Sequence, residues 1–202
     1  GHHATVGAAE ALAAEGATLD WVPLDNYGTI VRHRWQAALS QDGVVVATAL
    51  AAANEIGTIQ PIADLAQDVA EARVPFHLDA VAAFGHMPLS FRTLRAQSDR
   101  QPGSGLVTLS VGAHKIGGPV GIGALVVARD AQIAPILHGG RQQRGLRAGT
   151  QDIAAAAAFA VAAELAVAER VAEDERLRAL ANVLITGVHE ALPGVELLGH
   201  PH

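Results

Sequence analysis

The stretch TLSVGAHKIGGPVGIGALVVAR, from Thr108 to Arg129, decides the fold. It begins as a β-branched apolar run, turns at His114, Lys115 and a glycine-rich segment, and then enters a second apolar run. Two strands joined by so short a connection are predicted to be antiparallel neighbours. The same pattern places Lys115 at the mouth of a buried strand, where an unpaired lysine is uncommon unless it has a chemical role.

Outward from this stretch, apolar runs alternate with helix-like segments. Such an order predicts an α/β fold of three layers, in which a mostly parallel sheet carries helices on both faces. The helix predicted from Gln151 to Leu192 is long enough that we expect it to break or kink once. Further helices are predicted at 5–16, 32–41 and 61–73, and further strands at 17–24, 43–50, 74–80 and 195–199.

Composition excludes several classes of protein. The 202 residues are 50% hydrophobic and 17% charged, enough for one sizeable core or two small ones. A net charge of −6 offers no broad cationic field, so neither nucleic acid nor a membrane surface is a predicted partner. No signal-peptide pattern opens the chain, and cytoplasm is the predicted location. With no cysteine, disulfides, thiolate metal sites and an intrinsic thiol nucleophile are excluded, and no metal site is predicted.

Three polar residues follow or end predicted strands: Asn54, Asp79 and Lys115. In open α/β sheets, ligands bind outside these carboxyl ends. Asp79 and Lys115 are compatible with a plain ion pair, which the spacing alone favours. They are also compatible with a pyridoxal phosphate (PLP) site. A partly desolvated lysine can form an imine with the cofactor aldehyde, and an aspartate can keep the pyridine nitrogen protonated.

Four longer segments follow one another along the chain: NEIGTIQPI (54–62), HLDAVAAFGHMPL (77–89), GAHKIGGPVGIGAL (112–125) and HGGRQQRGLRAGT (138–150). In order and spacing they resemble the signatures of the cysteine desulfurases, which belong to the class V aminotransferase group of fold type I PLP enzymes. The resemblance extends from GHHATV to VELLG and implies a homodimer that converts L-cysteine to L-alanine through a protein persulfide. It also implies a sulfur-acceptor protein, and it leaves open whether the sulfur serves iron–sulfur cluster assembly or tRNA thiolation.

The resemblance implies a role for each residue that would meet the cofactor ring. Lys115 matches the lysine that binds PLP and moves the substrate Cα proton. Asp79 matches the partner of the pyridine nitrogen. His2 resembles the histidine that stacks on the ring and assists proton transfer. Asn54 corresponds to an asparagine near the ring hydroxyl, although as a bare sequence feature it is equally a turn residue.

Two further residues are assigned to the phosphate. His114 resembles a phosphate or active-site neighbour, with a structural histidine as the other interpretation. Thr150 resembles the threonine that reaches the phosphate of the partner subunit, and it is also a candidate N-cap of the long helix.

The sequence departs from the family pattern in composition and in length. Ala82 and Gly112 stand where a glutamine and a serine are common, and Arg141 and Gln143 alter the loop motif. The chain is expected to be incomplete, with residues 1–192 as an N-terminally incomplete large PLP-binding domain and 193–202 as the start of a small domain that is otherwise missing. Because it lacks the family's nucleophilic cysteine, we expect no sulfur transfer by this chain alone.

Three alternatives follow from the same residues. A selenocysteine lyase or another fold type I aminotransferase would share Lys115 and Asp79. A non-catalytic interaction module, or half of a split enzyme, is favoured by the missing cysteine, Ala82 and Gly112. A Rossmann nucleotide binder is disfavoured, because GGPVGIG (117–123) leads into a strand instead of a helix.

Overall fold

The computed structural model describes residues 2–96 and 101–200. In the described residues, four strands form one sheet in the order β1-β2-β3-β4. The first three strands are parallel and β4 is antiparallel to β3, which confirms the predicted parallel-dominated sheet and the antiparallel pair. The strands are Ala47–Leu50 (β1), Pro75–Asp79 (β2), Gly105–Gly112 (β3) and Gly123–Val127 (β4).

Helices alternate with the strands along the chain. α3 begins directly after Pro61, whose fixed φ suits the start of a helix. Two short 3₁₀ turns, Ala113–Lys115 and Gln143–Gly145, interrupt the connections after β3 and β4. The α-helices are His3–Ala14 (α1), Arg32–Leu39 (α2), Ile62–Glu71 (α3), Phe91–Arg95 (α4) and Ile153–Ala191 (α5).

The main core lies on one face of the sheet. Phe76 and Leu78 of β2 are fully buried there, against Leu65 and Val69 of α3 and Trp35 of α2. Burying each of these large side chains contributes about 1.5–3 kcal/mol to folding. Since side chains alternate along a strand, the polar residues His77 and Asp79 of β2 face the opposite side of the sheet from Phe76 and Leu78.

α5 corrects one expectation. It runs for 39 residues without the predicted break. Its alanine-rich sequence has high helix propensity and contains no proline, and the Glu173–Arg176 and Asp174–Arg178 pairs support its exposed surface. Within residues 2–96 and 101–200, α5 included, no helix has the length and hydropathy that a bilayer crossing requires.

The strands predicted at 17–24 and 195–199 are wrong. Leu24 forms only an isolated antiparallel bridge with Ile30, and residues 195–198 have no regular structure. Trp21 in the first segment is 59% exposed. An apolar run becomes a strand only where a neighbouring strand is available for pairing, and sequence periodicity carries no information about that neighbour.

Gly85 lies in the loop after β2 and packs against Ile116, in the segment after β3. We predict that Gly85→Ala destabilises the protein by about 1–3 kcal/mol. The residue has φ +83°, which is strained for alanine. A Cβ there would lie 2.6 Å from Ile116 Cγ2 and 3.0 Å from Ala166 Cβ on α5. Urea denaturation measures the loss.

The control for this substitution is Gly7→Ala in α1. No atom lies within 4 Å of a Cβ placed on Gly7, so alanine should stabilise that helix by about 0.5–1 kcal/mol. Equal stability of the Gly85→Ala protein and the unmodified chain would contradict the close packing between Gly85 and Ile116.

Candidate active site

Three of the predicted site residues meet at the carboxyl edge of the sheet. Asp79 ends β2, Asn54 lies in the turn after β1, and Lys115 ends the 3₁₀ turn after β3. Lys115 Nζ donates a hydrogen bond to Asn54 Oδ1 at 3.0 Å. Since β2 lies between β1 and β3, this bond joins the two segments that follow the strands flanking Asp79.

Asp79 is a buried acid without a cation. Its side chain is 8% exposed, and Oδ1 accepts one hydrogen bond of ordinary length, from the Val81 amide at 3.1 Å. The hydroxyls of Thr5 and Ser110 lie 3.4 Å from Oδ2 and Oδ1, which is long for an O–H···O bond. In the described part of the chain, neither Lys115 nor any other cation forms a salt bridge with Asp79. The carboxylate therefore keeps capacity for a further strong donor.

The backbone of Lys115 is held by a residue that the sequence reasoning missed. His86 Nε2 lies 2.9 Å from the carbonyl oxygen of Lys115. A carbonyl only accepts hydrogen bonds, so the His86 proton must be on Nε2. The residues are 29 positions apart, and no motif spacing connects them. Thr5 and Ser110 were missed for the same reason.

His114 lies beside Gly112, one of the departures from the family pattern. A Cβ on Gly112 would lie 3.3 Å from His114 Nδ1 and 3.3 Å from Val81 Cγ1. These distances are tighter than ordinary van der Waals contact, so the imidazole and Val81 leave little room for a side chain at position 112. A side chain at position 112 would require His114 and Val81 to move by a few tenths of an ångström.

The two remaining predicted residues lie at helix starts. His2 is the N-cap of α1, where its Nδ1 accepts a hydrogen bond from the Ala4 amide at 3.2 Å. Thr150 is not the N-cap of α5, because Asp152 Oδ1 caps that helix through the Ala155 amide at 2.9 Å. Across the described ranges, no hydrogen bond joins Thr150 to the other predicted site residues.

His77 lies on the same face as Asp79, and we predict that it makes stability depend on pH. Its Nδ1 is 2.9 Å from Thr108 Oγ1, and burial lowers the pKa of His77 below its usual 6.5, against the opposing charge of Asp79. As the pH falls, His77 is therefore protonated in the unfolded chain at a higher pH than in the folded protein. The free energy of unfolding should therefore decrease from pH 6.5 down to the folded pKa and then level off for this group.

Urea denaturation at a series of pH values measures this effect. The His77→Gln variant should lose this part of the pH dependence, since glutamine carries no titrating ring. An unchanged slope in the variant would show that the dependence arises elsewhere.

The Aminotransferase class-V profile matches residues 1–202, which is the whole chain. The chain belongs to the class-V aminotransferase family. Its sequence relatives include the IscS-like cysteine desulfurase of Mycobacterium tuberculosis, 39% identical over 200 residues, or 98% of this chain and 48% of that protein. The cysteine desulfurase IscS of Methanosarcina thermophila is 34% identical, over 99% of this chain and 46% of that protein.

Solved structures that are similar to this class-V aminotransferase chain belong to the same kind of protein as its sequence relatives. A NifS-like protein superposes with a TM-score of 0.86 at 30% identity, over 94% of this chain and 50% of its own. SspA in complex with cysteine gives a TM-score of 0.73 at 30% identity, over 81% of this chain and 45% of its own. The chain spans about half the length of the relatives it matches.

Proposed function

We propose that the protein is a PLP-dependent enzyme of the cysteine desulfurase type, acting on L-cysteine to give L-alanine. The observation that carries this proposal is that Asp79 and Lys115 lie at the same carboxyl edge of the sheet without forming a salt bridge with each other. Asp79, which is 8% exposed and forms no salt bridge within residues 2–96 and 101–200, lies at the end of β2. The strand beside it leads into the half-buried amine of Lys115, whose partner is the neutral amide of Asn54.

The residues present fit the ring of PLP. A protonated pyridine nitrogen would supply the donor that Asp79 lacks, and Lys115 Nζ would attach the cofactor covalently. Asn54 would lie near the ring hydroxyl and His2 against the ring. Fewer side-chain donors would be available to the phosphate of PLP than to its ring, because Gly112 has no hydroxyl and His114 is the neighbour that remains.

When bound, PLP supplies an electron sink for the charge that develops at the substrate Cα. The residues of the chain bind, orient and move protons around it. Lys115 Nζ would accept the Cα proton of the substrate, and Asn54 Oδ1, 3.0 Å from that nitrogen, would orient the amine by accepting a hydrogen bond from it. Asp79 would accept a hydrogen bond from the ring nitrogen and so stabilise its protonated form, and His2, at the start of α1, would assist proton transfer.

We further propose a cytoplasmic homodimer in which the loop HGGRQQRGLRAGT (138–150) reaches the partner subunit. Thr150 would then serve the partner's phosphate, in keeping with the absence, among the described residues, of a hydrogen bond from Thr150 to the other site residues. In this proposal residues 1–192 form the large domain and 193–202 begin a small one. The 202 residues contain no cysteine, so the thiolate that receives sulfur would belong to another segment or an acceptor protein.

Incubation with PLP, reduction with borohydride and peptide mapping test the proposal. Lys115 is the only lysine in the 202 residues, which makes the expected labelled peptide unique. A label found on the peptide containing Lys115 supports the function. Absence of any label under saturating PLP would contradict it.

A second candidate, a non-catalytic module or half of a split enzyme, is favoured by Gly112, because glycine offers no hydroxyl to a phosphate. Absence of the label would support this candidate. A selenocysteine lyase or another aminotransferase would give the label, and comparing the products formed from cysteine, selenocysteine and alanine separates these enzymes.

A further inference from the structure

α1 is held to the rest of the protein by few contacts. It contains no buried residue, and in the described ranges one side-chain hydrogen bond joins it to another element, from Thr5 Oγ1 to Asp79 Oδ2 at 3.4 Å. Thr5 itself is half-buried. The helix is therefore anchored at the acid that we assign to the pyridine nitrogen.

The same helix carries His2 at its start. Because His2 Nδ1 accepts the Ala4 amide hydrogen, the neutral ring carries its proton on Nε2. Thr5 is three residues beyond His2, and residues at this spacing share one face of a helix. A shift of α1 at Thr5 would thus move the His2 ring relative to Asp79.

We propose that Thr5 is a positioning residue, whose hydroxyl on Asp79 fixes α1 so that His2 and Asp79 act on the same ring. This role rests on the proposed PLP function. The other hydroxyl on Asp79 belongs to Ser110, on the neighbouring strand β3, so this second bond orients the acid from the sheet and not from α1. Thr5 is therefore the contact that couples the two functional groups, and the long bond predicts an effect of moderate size.

Three variants separate the hydroxyl from the shape of the side chain. Thr5→Val keeps the volume and the branched Cβ but removes the donor, whereas Thr5→Ser keeps the donor. Thr48→Val is the matched control, because Thr48 is an exposed threonine on β1 without a hydrogen-bonded side chain in the described part of the structure.

The first measurement is amide hydrogen exchange on the free protein. In Thr5→Val, the amides of α1 should exchange about threefold to tenfold faster, the size expected for one hydrogen bond, while those of α3 stay unchanged. Thr5→Ser should restore the original rates. The second measurement is PLP titration, in which the Kd should rise about threefold to tenfold in Thr5→Val and in neither of the other variants.

Unchanged α1 exchange and unchanged Kd in Thr5→Val would overturn the proposal. So would a Thr5→Ser protein that behaves like the valine variant, because the shape and not the hydroxyl would then matter. If the unsubstituted chain takes up no PLP, the proposed function fails, and the positioning role toward the cofactor fails with it. The exchange measurement still decides separately whether Thr5 anchors α1.

Discussion

Lys115→Ala should abolish covalent PLP attachment, so that borohydride reduction leaves no label at position 115. The variant removes the only side-chain amine among the 202 residues, and no other lysine can take its place. It should also abolish the exchange of the Cα proton of L-alanine with solvent deuterium, which NMR measures. That exchange requires proton transfer at Cα but no protein thiol, so it suits a chain without cysteine.

Lys115→Arg is the control for the positive charge. A guanidinium stays protonated and cannot form the covalent bond, so it should lose the label just as alanine does. Neither variant should lose much stability, because the side chain is only half-buried and its partner, Asn54, is exposed. Retained deuterium exchange in Lys115→Ala would exclude this residue as the group that moves the proton.

The edge of the sheet where the site lies could be predicted from sequence, because its signals are local. A buried apolar run that ends in Asp79, or continues into His114 and Lys115, gives both the strand and its carboxyl end. The antiparallel β4 followed from the short glycine-rich connection for the same reason. Because the carboxyl ends of parallel strands lie at one edge of the sheet, the strand order was enough to place Asn54, Asp79 and Lys115 there, and no side-chain contact had to be predicted.

The contacts that arrange the site could not be predicted. Thr5 reaches Asp79 across 74 residues, and His86 reaches Lys115 across 29. Such pairs depend on how α1 and the loop after β2 pack, and no periodicity encodes that packing. At Thr150 the sequence signal was local, but it did not identify which residue caps the helix. A helix start was visible in the sequence, but three polar residues lay within reach of it, and Asp152 proved to be the cap.

Asp79→Asn is expected to separate function from stability. Asparagine keeps an Oδ1 acceptor for the Val81 amide but removes a buried charge that has no cation partner. The urea midpoint of the free protein should stay equal or rise, since burying an unpaired carboxylate is costly. With PLP bound, the variant should exchange the Cα proton of L-alanine about 10²- to 10³-fold more slowly, because the ring nitrogen loses its stabilising charge.

Asp68→Asn provides the matched comparison, because Asp68 is also buried but is paired. Its carboxylate accepts two hydrogen bonds from Arg32, at 2.9 and 3.0 Å, and one from Gln36 at 2.9 Å. Removing that charge should lower the urea midpoint and leave deuterium exchange unchanged, which is the reverse of the result expected at Asp79. If both variants lose stability equally and exchange stays at the original rate in Asp79→Asn, then Asp79 is a structural acid. The charge at the end of β2 would then have no part in the chemistry.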